Sequence, residues 1–228
     1  MPNIITISKL AGYIDLTLLK PQATTKDIEA LIRETQKYPF ASVCIPPCYI
    51  SLAAKILKGY PTKVGMVVGF PFGYQTTSVK LYEAREAVEA GAEEIDMVMN
   101  ISAFKSGEIA KVQDEISKIV LSLSGIVVKV IIETCYLTDE EKVRACELVI
   151  NGKAGFVKTS TGFGPGGATV DDVELLVKTA KERIKVKASG GIKNLDETLK
   201  MIDAGADRIG TSAGVEIMEE FLKNAKDK

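Results

Sequence analysis

The sequence predicts a single (β/α)8 (TIM) barrel of the α/β class, and three observations carry that expectation. Short runs rich in β-branched residues alternate with longer amphipathic stretches along the whole chain, and strands separated by helices pair in parallel. Eight such repeats can be counted, more than the roughly five or six strands of a usual open doubly wound sheet, and eight close naturally into a barrel. The 228 residues show no linker, low-complexity segment or break in composition. Residues 1–228 are therefore read as one domain, within the roughly 200 to 250 residues such a barrel needs. The open doubly wound sheet is the runner-up.

In chain order, strands are expected over residues 13–18, 41–45, 63–68, 94–99, 127–133, 155–159, 185–188 and 208–211. Helical spacing fills the gaps between them. Ile28, Leu31 and Ile32 share one face of the first helix, and Leu81, Ala84, Val88 and Gly91 share one face of a later one. Thr138 with Glu141, and Asn194 with Glu197, have the spacing of capping boxes after the fifth and seventh strands. Ala90-Gly91-Ala92 and Ala204-Gly205-Ala206 each lead from a helix into a strand, where glycine suits the left-handed turn that stops a helix. A looser version runs through Asn151-Gly152-Lys153-Ala154-Gly155, a weak internal repeat with the rhythm of βα units.

Composition removes several classes of function. Lys and Arg number 29 and Asp and Glu 30, so no basic surface for nucleic acid is expected. The most apolar stretches are broken by Lys, Gly or Glu within about ten residues, far short of a membrane span. Residues 1–13 lack the charged start and long apolar run of a secretory signal. There is no His, which removes His-based triads, His general bases and His-ligated metal sites. Cys44, Cys48, Cys135 and Cys146 fit no zinc or CxxC spacing and are expected as free thiols in a reducing, cytoplasmic setting.

In a barrel of this kind the active site lies where strands end and βα loops begin. Polar residues collect at those ends. The first strand carries Asp15 and Thr17, with Leu16 facing the other way by strand alternation. The fourth carries Asp96, the fifth Lys129 and Glu133, the sixth Lys158 and the seventh Lys187. Ionised groups are costly to bury without partners, so several in one barrel are informative.

A lysine amine attacks a carbonyl only when neutral, and at an ordinary pKa only about one in two or three thousand is neutral at pH 7. A neighbouring ammonium and partial desolvation both favour the neutral form. Lys158 and Lys187, on consecutive strands, can form such a pair, one attacking while the other stays charged. Asp96 can then move protons. The residue pattern leaves open which lysine is which. Gly190-Gly191 and Gly210-Thr211-Ser212, with helices starting near Asn194 and Gly214, suggest a phosphate corner built from backbone amides. The run Gly162-Phe163-Gly164-Pro165-Gly166-Gly167 satisfies GxGxxG. It lacks an acidic strand end about 20 residues later and reads as a flexible βα loop rather than a dinucleotide fingerprint.

Several segments together resemble the deoxyribose-phosphate aldolase family over nearly the whole chain. They include Ile14-Asp15-Leu16-Thr17-Leu18-Leu19-Lys20, Ser42-Val43-Cys44-Ile45-Pro46-Pro47, Glu94-Ile95-Asp96-Met97-Val98-Met99-Asn100, Lys158-Thr159-Ser160-Thr161-Gly162, Lys187-Ala188-Ser189-Gly190-Gly191 and Arg208-Ile209-Gly210-Thr211-Ser212. The resemblance implies Lys158 as the Schiff-base lysine, Lys187 as the neighbour that perturbs it and shares in proton transfer, and Asp96 as proton donor and acceptor. It implies reversible cleavage of 2-deoxy-D-ribose 5-phosphate, with no metal and no organic cofactor, by a homodimer or higher homo-oligomer. Gly162, Gly190, Gly191, Gly210 and Ser212 would hold the phosphate, and Asp15, Thr17, Cys44 and Thr161 would contact the rest of the substrate.

Two positions depart from the family pattern: Leu16 where many members have His, and Phe163 where some have Lys. Leu16 should face away from Asp15. Phe163 cannot supply a charge for phosphate, a loss that Lys193 is placed to offset. Two other readings stand beside this one. A transaldolase-like barrel would keep the lysine but need a different acceptor pocket. A non-catalytic phosphate-metabolite-binding barrel would not need the Lys158, Lys187 and Asp96 set.

Overall fold

The computed structural model describes residues 5–226; the first four residues of the 1–13 stretch considered for a signal lie outside them. The elements run α1 (Ile7–Ala11), β1 (Ile14–Thr17), α2 (Thr25–Glu34), β2 (Ser42–Ile45), α3 (Ile50–Ile56), β3 (Lys63–Val68), α4 (Thr77–Glu89), β4 (Glu94–Val98), α5 (Ile101–Lys105) and α6 (Ile109–Ser122). They continue as β5 (Val127–Ile131), α7 (Asp139–Asn151), β6 (Phe156–Lys158), α8 (Val170–Ala180), β7 (Lys185–Ser189), α9 (Leu195–Asp203), β8 (Arg208–Thr211) and α10 (Gly214–Lys226). The strands pair in sequence order, all parallel, and β8 closes on β1 with Ile14 opposite Ile209 and Asp15 opposite Gly210. The closed barrel replaces the open-sheet alternative. No helix among the described residues is long and apolar enough to cross a membrane.

Every expected strand is present, most of them shorter than expected at one or both ends. The ladder outlasts the strands in places: Met99 N–H donates to Ile131 O at 2.9 Å, and Ile132 N–H to Lys158 O at 3.0 Å. The fifth strand stops before Glu133 because that residue turns left-handed, with φ of 53°. The five-residue helices α1 and α5 carry too few turns for a periodicity to register.

Local signals explain the helix ends. Thr138 and Glu141 form the expected capping box, and Thr24 with Asp27 forms another that the spacing alone had not revealed. Asn194 accepts from Glu197 N–H at 2.9 Å, but the Glu197 carboxylate accepts from Lys193 N–H instead of closing the box. Gly91 and Gly205 are left-handed, with φ of 107° and 98°. At the looser repeat the left-handed residue is Lys153, not Gly152. Glycine is needed at 152 for space, since a Cβ there would lie 2.3 Å from Ile116 Cγ2. The buried face of α4 is centred on Lys80, Ala84 and Ala87 rather than on Leu81, Ala84 and Val88. Lys80 is turned inward because its Nζ donates to Glu115 Oε1 at 2.7 Å and to Val98 O at 2.8 Å.

Strand parity decides where the core lies. Ile14, Leu16, Ile95, Met97, Val128, Val130, Val157, Val186, Ala188 and Ile209 all face outward into the layer between barrel and helices. Leu16 is among them, and a Cβ on Gly214 at the start of α10 would lie 2.8 Å from its Cδ1. Leu16 therefore faces away from Asp15, as expected. Many of the inward residues are charged, where such barrels are usually filled by branched apolar side chains.

Candidate active site

The alternate, inward positions of six strands bring seven charges together inside the barrel. Asp15 comes from β1, Glu94 and Asp96 from β4, Lys129 from β5, Lys158 from β6, Lys187 from β7 and Arg208 from β8. Register sets their neighbours: Asp96 lies opposite Lys129, Lys158 opposite Lys187, and Lys187 opposite Arg208. At the lower end Lys129 donates to Glu94 at 2.6 Å and to Asp96 Oδ1 at 2.9 Å. Arg208 donates to Asp15 Oδ1 at 2.6 Å. The Phe156 ring lies beneath, with Lys129 Nζ and the Arg208 guanidinium 5.9 and 5.7 Å from its centroid.

At the upper end Lys158 and Lys187 converge on one oxygen, each 2.7 Å from Asp96 Oδ2. Lys187 also donates to Asp15 Oδ2 at 2.5 Å. Its side chain can cross the barrel because residue 210 is glycine: a Cβ there would lie 3.0 Å from Lys187 Cε and 2.9 Å from Ser189 Cβ.

The charge balance singles out one amine. Three carboxylates face four cations, so full ionisation leaves one positive charge in excess. Burial pushes the Lys158 amine below its ordinary value, and the Lys187 ammonium adds to this while Asp96 opposes it. Burial also disfavours the charge on Lys187, but Asp15 and Asp96 overcome that and hold it above the usual lysine range. For Lys129, burial is overcome in the same way by Asp96 and Asp15. Burial favours protonation of Asp96, yet Lys129, Lys158 and Lys187 together hold it well below the usual carboxylate range. Of the lysines in this network, Lys158 is thus the one whose proton is held less tightly than usual.

Access agrees with charge. Lys158 is 4% exposed and lines a cavity of about 260 Å³ at the carboxyl end of the barrel, whereas Lys187 is fully buried beneath it. An aldehyde entering that cavity meets the Lys158 amine first. Exposure to the cavity thereby distinguishes the two lysines.

Of the other expected site residues, Thr17, Thr161, Gly162, Gly190, Gly191, Gly210 and Ser212 line the cavity. Gly190 and Gly191 are both left-handed, with φ of 86° and 83°, a conformation that favours glycine. Helices α9 and α10 begin beside them, capped at Asn194 and starting at Gly214. Phe163 and Lys193 also line the cavity. Asp15 and Cys44 sit differently: both are buried and neither lines it. Asp15 is occupied by Lys187 and Arg208. Cys44, opposite Thr17 on β2, lies deep enough for burial to push its thiol up to about 11.

Some contributors were missed by the sequence reading. Lys20 lines the cavity from the loop after β1 and, with Lys193, supplies charge that Phe163 does not. Glu94 and Arg208 were passed over, although each lies two residues before a recognised inward residue, the same parity signal that places Lys129.

A closed (β/α)8 barrel with one charge-disfavoured lysine opening on a cavity at its carboxyl end is the arrangement suited to Schiff-base chemistry. The comparisons give the family. A family model described as DeoC/LacD family aldolase matches residues 9–220, and the chain belongs to that family. It is 54% identical over 221 residues to the deoxyribose-phosphate aldolase of Caldanaerobacter subterraneus subsp. tengcongensis, covering 96% of each chain. Among solved structures it is similar to an aldolase called QR15, with TM-score 0.92 and 47% identity over 96% of this chain and 98% of that one. It is also similar to a deoxyribose phosphate aldolase of Aeropyrum pernix described as a unique tetramer, with TM-score 0.90, 37% identity and coverage of 96% and 93%.

Proposed function

We propose that this protein is a class I aldolase that reversibly cleaves 2-deoxy-D-ribose 5-phosphate to D-glyceraldehyde 3-phosphate and acetaldehyde, with Lys158 carrying the Schiff base. The observation that carries the proposal is the single amine, Lys158, whose charge is disfavoured and which alone among the buried lysines of the barrel opens on the cavity. The neutral amine adds to C1 of the open-chain sugar, and loss of water gives the iminium. A base removes the proton of the C3 hydroxyl. The C2–C3 bond then breaks, and its electron pair passes to the iminium. Glyceraldehyde 3-phosphate leaves, and the enamine that remains is protonated at C2 and hydrolysed to acetaldehyde and free lysine.

Asp96 is the proton-handling carboxylate of this scheme. It touches both Lys158 and Lys187, so a proton taken up there has a charged neighbour to pass through. Lys187 acts by its field and as the second station of that relay. The phosphate lies at the opposite wall, against Gly190, Gly191, Gly210 and Ser212, with Lys20 and Lys193 beside them. The substrate is then a small phosphorylated sugar. The proposal extends to a cytoplasmic location, where such phosphates are retained, and to a homo-oligomer, in keeping with the tetrameric Aeropyrum relative.

Borohydride trapping tests the assignment. After incubation with acetaldehyde and reduction, mass spectrometry of the digest should find an ethyl group on Lys158, absent from Lys158→Ala. An adduct on Lys187 alone would sink the assignment of roles. Release of glyceraldehyde 3-phosphate from 2-deoxy-D-ribose 5-phosphate, followed with a coupled dehydrogenase, tests the substrate.

A further inference from the structure

The glycine-rich run over residues 162–167 is not explained by the chemistry above, and its packing shows what holds it. A Cβ on Gly164 would lie 3.2 Å from Cys135 Sγ and 3.4 Å from the Glu133 carboxyl, and one on Gly166 would lie 2.9 Å from Cys135 Cβ. A Cβ on Gly167 would lie 2.2 Å from Gly190 O. Ala168 N–H donates to Ser189 O at 3.1 Å and to Gly190 O at 3.0 Å. The run therefore spans from the end of β5 to the turn after β7 that forms the anion wall.

Its near end is tied to Glu133. Thr161 N–H donates to both carboxylate oxygens of Glu133, 3.2 Å from each, and the Thr161 hydroxyl donates to Glu133 Oε2. The same hydroxyl accepts from Phe163 N–H at 3.0 Å. Glu133 is 2% exposed, forms no salt bridge among the described residues, and holds a left-handed backbone that disfavours a side chain. A buried carboxylate without a cation and a strained φ both cost stability, and a residue that combines them marks a constraint beyond folding.

We propose that Glu133 is a positioning residue for the phosphate end of the substrate. It latches Thr161, and through the glycine run it sets where Gly162 and Gly190 stand; Gly162 Cα lies 3.4 Å from where a Cβ on Gly190 would be. GxGxxG in this chain is then the form of a strap pressed between two strand ends rather than a nucleotide cradle. Glu133 makes no hydrogen bond or salt bridge to Lys158 or Asp96, and Lys158 reaches it only through its field, so its main action is on substrate affinity. The inference rests on the aldolase reading for its substrate but not for its geometry.

Glu133→Gln keeps the shape, offers one acceptor oxygen, and sets an amide N–H2 against the Thr161 donors. Loss of charge-assisted hydrogen bonds of this kind corresponds to about a tenfold or larger change. The KM for 2-deoxy-D-ribose 5-phosphate should rise by about that factor, with kcat within about threefold of wild type. Thr161→Val should shift KM the same way, while Thr161→Ser, which keeps the hydroxyl, should shift it less. Binding of inorganic phosphate, measured by calorimetry, should weaken about tenfold in Glu133→Gln and Thr161→Val. That readout survives if the wild type cleaves a different sugar phosphate, so the two readings fail separately. Unchanged phosphate affinity and KM with only a lower melting temperature, or a fall in kcat at constant KM, would overturn the latch. If Glu133→Gln does not fold, the two Thr161 variants decide the same question.

Discussion

Replacing Lys187 by Met removes the cation that shares Asp96 Oδ2 with Lys158. Both amines lie 2.7 Å from that oxygen, which puts the two charges about 4 to 5 Å apart; at an effective dielectric near 20 their repulsion is about 3 to 4 kcal/mol. The variant also leaves three carboxylates facing three cations, so the network becomes neutral with Lys158 still protonated. Asp15 keeps Arg208 at 2.6 Å and Asp96 keeps Lys129 at 2.9 Å, so the barrel interior stays compensated. About 3 kcal/mol corresponds to roughly a hundredfold change in the neutral fraction of the amine. The rate of borohydride trapping with acetaldehyde at pH 7 should fall by about that factor, and it should recover as the pH is raised, because the amine is still present and only its proton is held more tightly. The assay is the trapping rate followed from pH 6 to 10 in both proteins. A profile lowered equally at every pH would refute the field argument and leave Lys187 acting only by proton transfer or by shape.

The proposed phosphate wall lacks a charge at Phe163, which is half-exposed and edge-on to Phe70 at 5.2 Å. Phe163→Lys should lower the KM for 2-deoxy-D-ribose 5-phosphate about three- to fivefold, the scale of one partly exposed cation, and leave that for unphosphorylated 2-deoxyribose unchanged. Gly210→Ala forces a Cβ against Lys187 Cε. It should cost about 1 to 3 kcal/mol of stability by overpacking, read as a lower denaturation midpoint, together with reduced trapping at Lys158. Asp15 and Asp96 both have folded-state values below their ordinary range, against burial, because of Lys187 and Lys129 for Asp15 and of Lys129, Lys158 and Lys187 for Asp96. Their stabilisation is fully present above the unfolded carboxylate value, about 4, and is lost as pH falls below it. Thermal midpoints should therefore hold between pH 5 and 7 and drop below about pH 4, with a shallower drop in Asp15→Asn.

How much was legible in the chain is clearest at individual residues. Strand parity is a local, period-two property, so Asp15, Asp96, Lys158 and Lys187 could be put on the inner face, and Leu16 on the outer one, without coordinates. Thr138 with Glu141 and the Gly91 and Gly205 junctions are equally local, since cap and stop chemistry act within one turn of helix. Eight β-branched runs separated by helices were enough for the barrel itself. Depth along the barrel was not legible. It depends on how far each strand is offset when β8 closes on β1, and no neighbour in sequence carries that information. Only the closed structure shows Lys187 beneath Lys158, Asp15 and Cys44 off the cavity wall, and Lys20 brought to its rim. Glu133 looked like one more polar strand end; its left-handed turn and its hold on Thr161 arise from contacts between residues 28 apart. Sequence determined which side chains face inward, because alternation is set by the backbone alone. Tertiary structure decided which of them opens on the cavity, because that requires the register of all eight strands at once.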